Sequence, residues 1–420
     1  MTITDKNYQE ISDRVYWLDP KHSEYDPDLK EWSVKKFGET EFQILKIKEN
    51  SKTDGLQAMA VAPLDEKGHV DTSQVVIAYA GTNASDLKDL ETDLRTIGGA
   101  YNKLVERTIP AVPGMAFTLN QTRYLGQLTS AVEFAQEVKR DYGHAEISTT
   151  GHSLGEYLAL YIAAENQWKN VGFNGPDPYE LLSPEAKKWL KENPTMVTNY
   201  RNRGDGIGNL MGNGTGAEIK ISMEMGLTNL LDYHSLDNWQ FDENGRLIIP
   251  ENDYNINASL QQKERQAMRD FSDNLKTLKE WEKKLTASGG GLSSNERLFL
   301  DAYQTKLVIE TAQRQARNAM EQIIRLNQAS IERLETNWRD GLQKAEQAAP
   351  SLNSWEVREA LEAVGVTRET QVTLPREQCL ERIRQARQRG EHYDALAREI
   401  NQKISELVAR DQELANQLKG

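Results

Sequence analysis

The hydrophobic and polar positions of residues 1–254 follow two alternating periods. Short apolar runs bounded by turn residues predict buried β-strands, and the longer amphipathic stretches between them predict helices. Val75 to Tyr79 is one such run, and residues 119–141 carry apolar side chains at helical spacing. Because this alternation is typical of a sheet covered by helices, we predict an α/β domain over residues 1–254.

The pattern changes near residue 255, after which helical periodicity dominates. The predicted helices span residues 256 to a Ser-Gly-Gly-Gly break at 288–291, residues 294–349 and about residues 391–418. The second of these stretches contains no Pro and only one Gly, and the only strand-like run is at 371–374. Helices of this length are typical of coiled coils and elongated bundles. Residues 255–420 are therefore predicted to form a separate all-α domain, an elongated helical bundle.

Charge divides the chain at the same place. The sequence has 64 Asp and Glu against 51 Lys and Arg, a formal net charge of −13. The two signs nearly balance after residue 254, so the acidity belongs to the predicted α/β domain. An acidic domain is not drawn to nucleic acid or to an anionic bilayer by its overall charge. We therefore predict no nucleic-acid partner.

Cysteine content and hydropathy narrow the class of protein further. The single cysteine, Cys379, excludes an intrachain disulfide and a zinc site built from cysteines. No apolar run approaches the length of a membrane span, and the polar start lacks the apolar core of a signal peptide. We expect a protein that is secreted without a cleaved leader or, alternatively, is cytoplasmic.

The stretch Gly151-His152-Ser153-Leu154-Gly155 carries the first sign of chemistry. It follows a predicted strand that includes Ile147 and precedes a predicted helix from Glu156 to Glu165. A G-x-S-x-G pattern between strand and helix is typical of a nucleophile elbow, a tight turn that exposes the serine hydroxyl. The N–H of Leu154 would then point to the place where an oxyanion forms. Ser153 is the predicted nucleophile of an acyl chemistry.

A serine nucleophile needs a base, and chain order narrows the choice among six histidines. In α/β hydrolases the acid and then the histidine follow the serine, which leaves His234 and His392. His392 lies in the helical domain, so His234 is the predicted base. Asp205, set between glycines after a predicted strand, is the favoured acid, which would hold the imidazole tautomer. Asp177 and Asp232 are its rivals.

These residues together resemble the class 3 lipase branch of the α/β hydrolases, over roughly residues 60–245. The resemblance is carried by Tyr79-Ala80-Gly81-Thr82-Asn83, the elbow motif, Asp205 and His234. It implies a serine ester hydrolase without a cofactor or metal, in which Thr82 supplies an oxyanion hydroxyl and N–H. Asp93 resembles the family's acidic residue near that segment. Asp86, Asp89 and Asp93 lack an EF-hand pattern and are interpreted as solvated carboxylates.

Glu156 departs from that family, in which many relatives carry glycine at this position. We expect its side chain to point away from the oxyanion, which a carboxylate would disfavour. Gly-His-Ser-Leu-Gly-Glu-Tyr also resembles the elbow of malonyl-type acyl transferases. Those enzymes carry an early Gly-Gln-Gly segment and a substrate-binding arginine after the serine, whereas this chain has no such segment and has Asp177 near that position. The hydrolase is favoured over the transferase.

The order of the two domains adds a second resemblance. A lipase-like domain followed by an elongated helical domain resembles the type VII-secreted lipase toxins, with the LXG-like domain at the C-terminus instead of the N-terminus. The resemblance implies small helical secretion partners on residues 255–420 and an immunity protein on the catalytic domain. Leu418-Lys419-Gly420 fits Leu-x-Gly, but we interpret this match as chance.

Two other functions remain open at this point. One is an intracellular lipid or acyl-ester hydrolase whose helical domain dimerises, and the other is an interaction protein with an inactive hydrolase fold. The expected substrate is a lipid acyl ester, with phospholipids favoured because a membrane-damaging toxin would act on them. The apolar residues 108–117 would wall an acyl pocket, form a lid or be a buried connector.

Overall fold

The computed structural model describes residues 3–65, 67–81, 115–226, 232–287 and 291–419. For residues 115–125, 412 and 414–419 only the main chain is described. The chain divides into two compact units, Met1–Asn255 and Ile256–Gly420. Their boundary lies beside the position at which the periodicity of the sequence changes.

One eight-stranded mixed sheet organises the described part of the first unit. The strands are β1 (Val34–Phe37), β2 (Thr40–Glu49), β3 (Gln57–Pro63), β4 (Gln74–Tyr79), β5 (Glu146–Gly151), β6 (Lys169–Phe173), β7 (Val197–Asn202) and β8 (Glu218–Ile221). They lie side by side in chain order, antiparallel from β1 to β4 and parallel from β4 to β8. The carboxyl ends of β4 to β8 therefore share one edge, where α/β sheets place their ligand sites.

Helices cover both faces of this sheet. They are α1 (Asp5–Arg14), α2 (Met115–Asp141), α3 (Leu154–Asn166) and α4 (Pro184–Glu192). The Tyr8 hydroxyl of α1 donates to Ser148 of β5, whereas the next residue, Thr149, donates to the Ala159 carbonyl of α3. Successive strand residues point to opposite faces, so α1 and α3 lie on opposite sides. A mixed sheet with helices on both faces fits the α/β-hydrolase fold.

One hydrophobic core of this unit lies between the sheet, α2 and α3. Its fully buried members include Leu45, Ile77, Tyr79, Phe134, Val138, Leu158 and Ile162. Burying one such side chain stabilises the fold by roughly 1.5–3 kcal/mol. This packing fixes α3 against β4 and β5, and the elbow serine lies at the start of α3.

Long helices make up the described part of the second unit. They are α5 (Ile256–Ala287), α6 (Ser294–Ala348), α7 (Ser354–Ala363) and α8 (Leu374–Lys419). Both α5 and α8 contact α6, through the ion pairs Asp270–Arg314 and Asp394–Arg317 respectively. No helix among the described residues is long and apolar enough to cross a membrane.

The strand-like run at 371–374 does not form a strand. Glu369–Thr373 form a π-helical turn that leads directly into α8, which begins well before the expected residue 391. Val372 is buried in this turn, so its β-branched side chain serves packing and not strand pairing. Pro375 directly follows this π-helical turn, and because proline has no N–H it cannot make the main-chain hydrogen bond of its position in the helix.

Candidate active site

Ser153 occupies the sharp turn between β5 and α3. Its φ of 58° and ψ of −130° lie in a region that L-residues rarely adopt. Both glycines of the motif are needed for this turn, since a Cβ at Gly155 would overlap the carbonyl of Tyr79 and a Cβ at Gly151 would overlap Gly155. The strand, turn and helix thus form the strained nucleophile elbow that the motif predicts.

Main-chain groups converge at the start of α3. Leu154 is the first residue of this helix, so its N–H is one of the amides that have no acceptor within the helix. The parallel pairing of β4 with β5 sets Tyr79 opposite Gly151, which brings the chain after Tyr79 beside the elbow. The predicted oxyanion residue Thr82 follows there. It lies outside the described residues, together with Asp86, Asp89, Asp93 and residues 108–114.

His234 and Asp205 form a buried pair. His234 Nδ1 lies 2.9 Å from Asp205 Oδ2, and the two side chains are 2% and 0% exposed. The N–H of Ile207 donates to the other carboxylate oxygen of Asp205 at 2.9 Å, which fixes the orientation of the acid. A carboxylate on Nδ1 holds the proton there and leaves Nε2 as the acceptor.

The two atoms that a serine hydrolase uses are both left without partners. Ser153 Oγ and His234 Nε2 are buried and have no hydrogen bond within the described part of the chain. The imidazole rings of His152 and His234 lie 4.7 Å apart, and His152 Nε2 is 2.8 Å from the main-chain oxygen of His234. His234 is therefore held next to the residue that precedes Ser153.

The rival acid Asp177 is engaged elsewhere. Its carboxylate accepts from the N–H and hydroxyl of Thr215, at 3.1 and 2.6 Å, and from the N–H of Tyr179 at 2.8 Å. Burial raises the pKa of Asp177, while the hydrogen bonds from Thr215 oppose that rise. Asp177 thus ties two loops together, and the structure places Asp205 against His234. The other rival, Asp232, opens the short 3-10 turn that ends at His234.

Glu156 is fully buried between α3 and the sheet. Its Oε1 accepts from Asn170 at 2.7 Å, and a Cβ at Gly172 would overlap the carboxylate, so both contacts are to β6. Burial raises the pKa of Glu156 well above its usual range, while the hydrogen bond from Asn170 and the positive charge of Arg201 act in the opposite direction. The departure from glycine thus has a packing role at the sheet.

Two residues beside the base were not predicted from the sequence. His152 precedes the serine and so falls outside the chain order expected of a base, and Tyr16 belongs to a short 3-10 turn after α1. The Tyr16 hydroxyl lies 3.1 Å from His152 Nδ1, across 136 positions of chain. Neither periodicity nor motif spacing marks such a contact. Three or more His, Cys, Asp or Glu gathered as a metal site are not found among the described residues.

Comparison with known proteins gives distant structural matches. No family model and no curated protein matches the chain. The native Rhizomucor miehei lipase propeptide complex is 15% identical, with 52% of this chain and 67% of that chain covered and a TM-score of 0.31. A lipase from Rhizopus microsporus var. chinensis is 13% identical, with 52% of this chain and 73% of that chain covered and a TM-score of 0.28. A mutant form of MDLA from Penicillium cyclopium is 12% identical, with 59% of this chain and 84% of that chain covered and a TM-score of 0.31.

Proposed function

We propose that this chain is a serine ester hydrolase of the lipase type, with Ser153 as nucleophile, His234 as base and Asp205 as the acid. One observation carries the proposal: a buried His234–Asp205 pair lies against His152, the neighbour of a serine at positive φ between strand and helix. The same arrangement leaves Ser153 Oγ and His234 Nε2 free of other partners among the described residues.

The reaction would proceed through an acyl-enzyme. Ser153 Oγ attacks the ester carbonyl while His234 Nε2 takes its proton, and Asp205 stabilises the imidazolium that results. His234 then gives this proton to the leaving alcohol, which departs as the acyl group stays on the serine. In the second half, a water molecule attacks the acyl group with His234 as base, and the carboxylic acid and free Ser153 are released.

Oxyanion stabilisation is assigned to two residues, Leu154 and Thr82. The N–H of Leu154 is available because it opens α3. Thr82 is proposed as the second donor on the resemblance to class 3 lipases, and it comes one residue after Gly81, at the end of β4. Donors that are held in place before the reaction stabilise the charge that forms on the substrate oxygen.

Labelling and hydrolysis by the full chain test this function. A fluorophosphonate should modify Ser153, and Ser153→Ala should abolish both labelling and hydrolysis of a soluble ester while the fold is kept. Loss of a nucleophile in such a triad costs on the order of 10⁶ in kcat. Ser148→Ala, which removes another buried serine of β5, is the matched control and should stay active. Activity of Ser153→Ala above a tenth of wild type would contradict the assignment.

Lipid acyl esters, and phospholipids before neutral lipids, are the proposed substrates, which makes the activity that of a phospholipase A. The support is the class 3 lipase resemblance of the elbow and of the Tyr79–Asn83 segment. Phospholipid vesicles, triglyceride emulsions and short-chain esters should be assayed with and without a chelator. Release of fatty acid from the vesicles in the presence of chelator is expected. Activity on neutral esters alone would contradict the phospholipid assignment.

We further propose that the second unit is an LXG-like docking unit for small helical partners in type VII secretion. The chain would then be exported without a cleaved leader as an antibacterial toxin, and an immunity protein would cover the catalytic unit. The order of the two units supports this, and so does α8, where Tyr393, Leu396 and Leu407 are 49%, 52% and 58% exposed. Their spacing sets them on one side of the helix, and exposed apolar groups of this kind are typical of contact surfaces.

An intracellular ester hydrolase with a dimerising helical unit is the second candidate, because the same exposed side chains of α8 would also serve a self-contact. Light scattering on the full chain separates the two candidates. A monomer that forms a defined complex with a small helical protein supports export. A dimer that Leu396→Lys converts to a monomer, without loss of ester hydrolysis, supports the second candidate.

A further inference from the structure

The hydroxyl of Tyr16 joins the end of β4 to the elbow. The hydroxyl lies 3.1 Å from both Nδ1 and the main-chain oxygen of His152, and Gly81 after β4 lies against it. The approach is close, since a Cβ at Gly81 would lie 2.6 Å from the Tyr16 oxygen and 2.8 Å from the His152 carbonyl oxygen. Gly81 directly precedes Thr82, the proposed oxyanion donor.

These contacts fix which nitrogen of His152 carries a proton. His152 Nε2 lies 2.8 Å from the carbonyl oxygen of His234, which only accepts, so Nε2 must be the donor. Loss of hydration around the ring, with the charge of His234, lowers the pKa of His152 to about 3, so the imidazole is neutral. Nδ1 is then an acceptor, and the one proton of the Tyr16 hydroxyl faces both Nδ1 and the His152 carbonyl oxygen, each at 3.1 Å. Burial also raises the pKa of Tyr16, which keeps that proton in place.

The position of the His234 main chain depends on the N–H donor at His152 Nε2. Two N–H groups reach the His234 carbonyl, from His152 Nε2 at 2.8 Å and from Asn174 Nδ2 at 3.1 Å. Asn174 is itself fixed, because its Oδ1 accepts from the N–H of Asn202 at 2.9 Å. His152 differs from Asn174 in that a change of tautomer would remove its proton from Nε2. A hydroxyl donor at Nδ1 opposes that change, because it favours the ring with no proton on Nδ1.

We propose that Tyr16 and His152 are positioning residues for ester hydrolysis: Tyr16 stabilises the His152 tautomer that holds the main chain of His234. The inference rests on the proposed function, since it assigns roles relative to Ser153 and His234. Neither residue touches the reacting atoms in this scheme. Both act on the placement of the base.

Tyr16→Phe in the full chain is the direct test, because it removes one hydroxyl and keeps the ring. Displacement of the base, or of the groups that bind the oxyanion, destabilises the transition state more than it weakens binding of the substrate in the ground state. For a soluble ester we expect kcat to fall by roughly 10- to 100-fold while KM changes by less than about threefold. The rate at which a fluorophosphonate labels Ser153 should fall in parallel with kcat.

Tyr8→Phe is the matched control. Tyr8 lies on α1, is also buried, and donates its hydroxyl to Ser148 at 3.0 Å, in the middle of β5 and away from the elbow. Both variants lose one buried hydrogen bond, so they should lower the unfolding temperature to a similar extent. Only Tyr16→Phe should slow hydrolysis. This comparison separates a positioning role from a general loss of stability.

A double-mutant cycle tests the tautomer directly. Glutamine in His152→Gln presents an N–H near the position of Nε2 and has no tautomer to select. We therefore expect His152→Gln to retain much more activity than His152→Leu. Tyr16→Phe should cost little further kcat in the His152→Gln background, so the two effects should not add.

The outcomes distinguish this inference from the proposed function. If the wild type hydrolyses no ester, or Ser153→Ala stays active, the proposed function fails. If hydrolysis depends on Ser153 but Tyr16→Phe matches Tyr8→Phe in kcat, the positioning role alone is wrong. The tautomer argument is also overturned if the costs of Tyr16→Phe and His152→Gln simply add.

Discussion

At Asp205, the proposed chemistry depends on a single carboxylate oxygen. Oδ2 faces His234 Nδ1 at 2.9 Å, while Oδ1 accepts from the N–H of Ile207. Asparagine in Asp205→Asn keeps the second bond but offers an amide to the imidazole, which favours the wrong tautomer. By analogy with the same change in serine proteases, kcat should fall by roughly 10⁴ with the fold intact. Steady-state kinetics and thermal unfolding of the variant check this.

Asp177→Asn provides the contrast. Asp177 accepts three hydrogen bonds from Thr215 and Tyr179 and has no contact with His234 among those described. Removing its charge should lower the unfolding temperature and leave kcat of the folded protein within a few-fold of wild type. If Asp177→Asn abolishes turnover and Asp205→Asn does not, the assignment of the acid is wrong.

Glu156 should make the stability of the first unit depend on pH. Its pKa in the folded chain is raised by burial, so the folded state binds more protons than the unfolded state once pH exceeds the ordinary carboxyl range. Stability is then lost as pH rises through that window. Glutamine stays neutral, and its oxygen can still accept from Asn170. Glu156→Gln should therefore raise the unfolding temperature relative to wild type more at about pH 8 than at about pH 5.

The exposed Glu185 on α4 supplies the control for this experiment. Glu185→Gln removes one negative charge from the exposed first turn of α4, so it reports the effect of net charge together with that of one charge at a helix N-terminus. A difference between Glu156→Gln and wild type that stays constant with pH, or that matches Glu185→Gln, would contradict the expectation for Glu156.

At the scale of elements, the parts predicted well are those whose signal is local. An apolar run marks β4, amphipathic periodicity marks α2 and α6, and the elbow motif marks the turn at Ser153. In each case neighbouring residues decide the structure. The π-helical turn at Glu369–Thr373 is not predicted by local preference, because β-branched residues favour strands in general. Here burial of Val372 overrides that preference.

The candidate site, too, can be predicted from the sequence only where its signal is a short motif or the order of residues along the chain. Ser153 follows from a motif, and His234 and Asp205 follow from chain order, since the elbow and the parallel strands restrict where partners can lie. Tyr16 and the tautomer of His152 depend on contacts between the turn after α1 and the end of β5, which the topology creates and no short pattern encodes. The role of Glu156 likewise depends on Gly172 and Asn170 of the neighbouring strand.

At the scale of the whole molecule, charge and chemistry are unevenly divided. The proposed nucleophile, base and acid all come from the first unit, whose sequence also carries the excess of acidic residues. The second unit has a near balance of charges and long helices, and its own contacts, such as Asp394 with Arg317, hold it together. Catalysis and docking are therefore expected to separate when the chain is cut between the units.

Expression of residues 1–254 alone tests this separation. A triad depends on local preorganisation, so the fragment should hydrolyse a soluble short-chain ester at a rate within about tenfold of the full chain. The fragment with Ser153→Ala is the control for background hydrolysis, and circular dichroism with thermal unfolding shows whether each fragment is folded. Binding of a small helical partner should be lost with residues 255–420. A soluble, folded fragment without esterase activity would show that the helices complete the site, and catalysis could then not be assigned to the first unit alone.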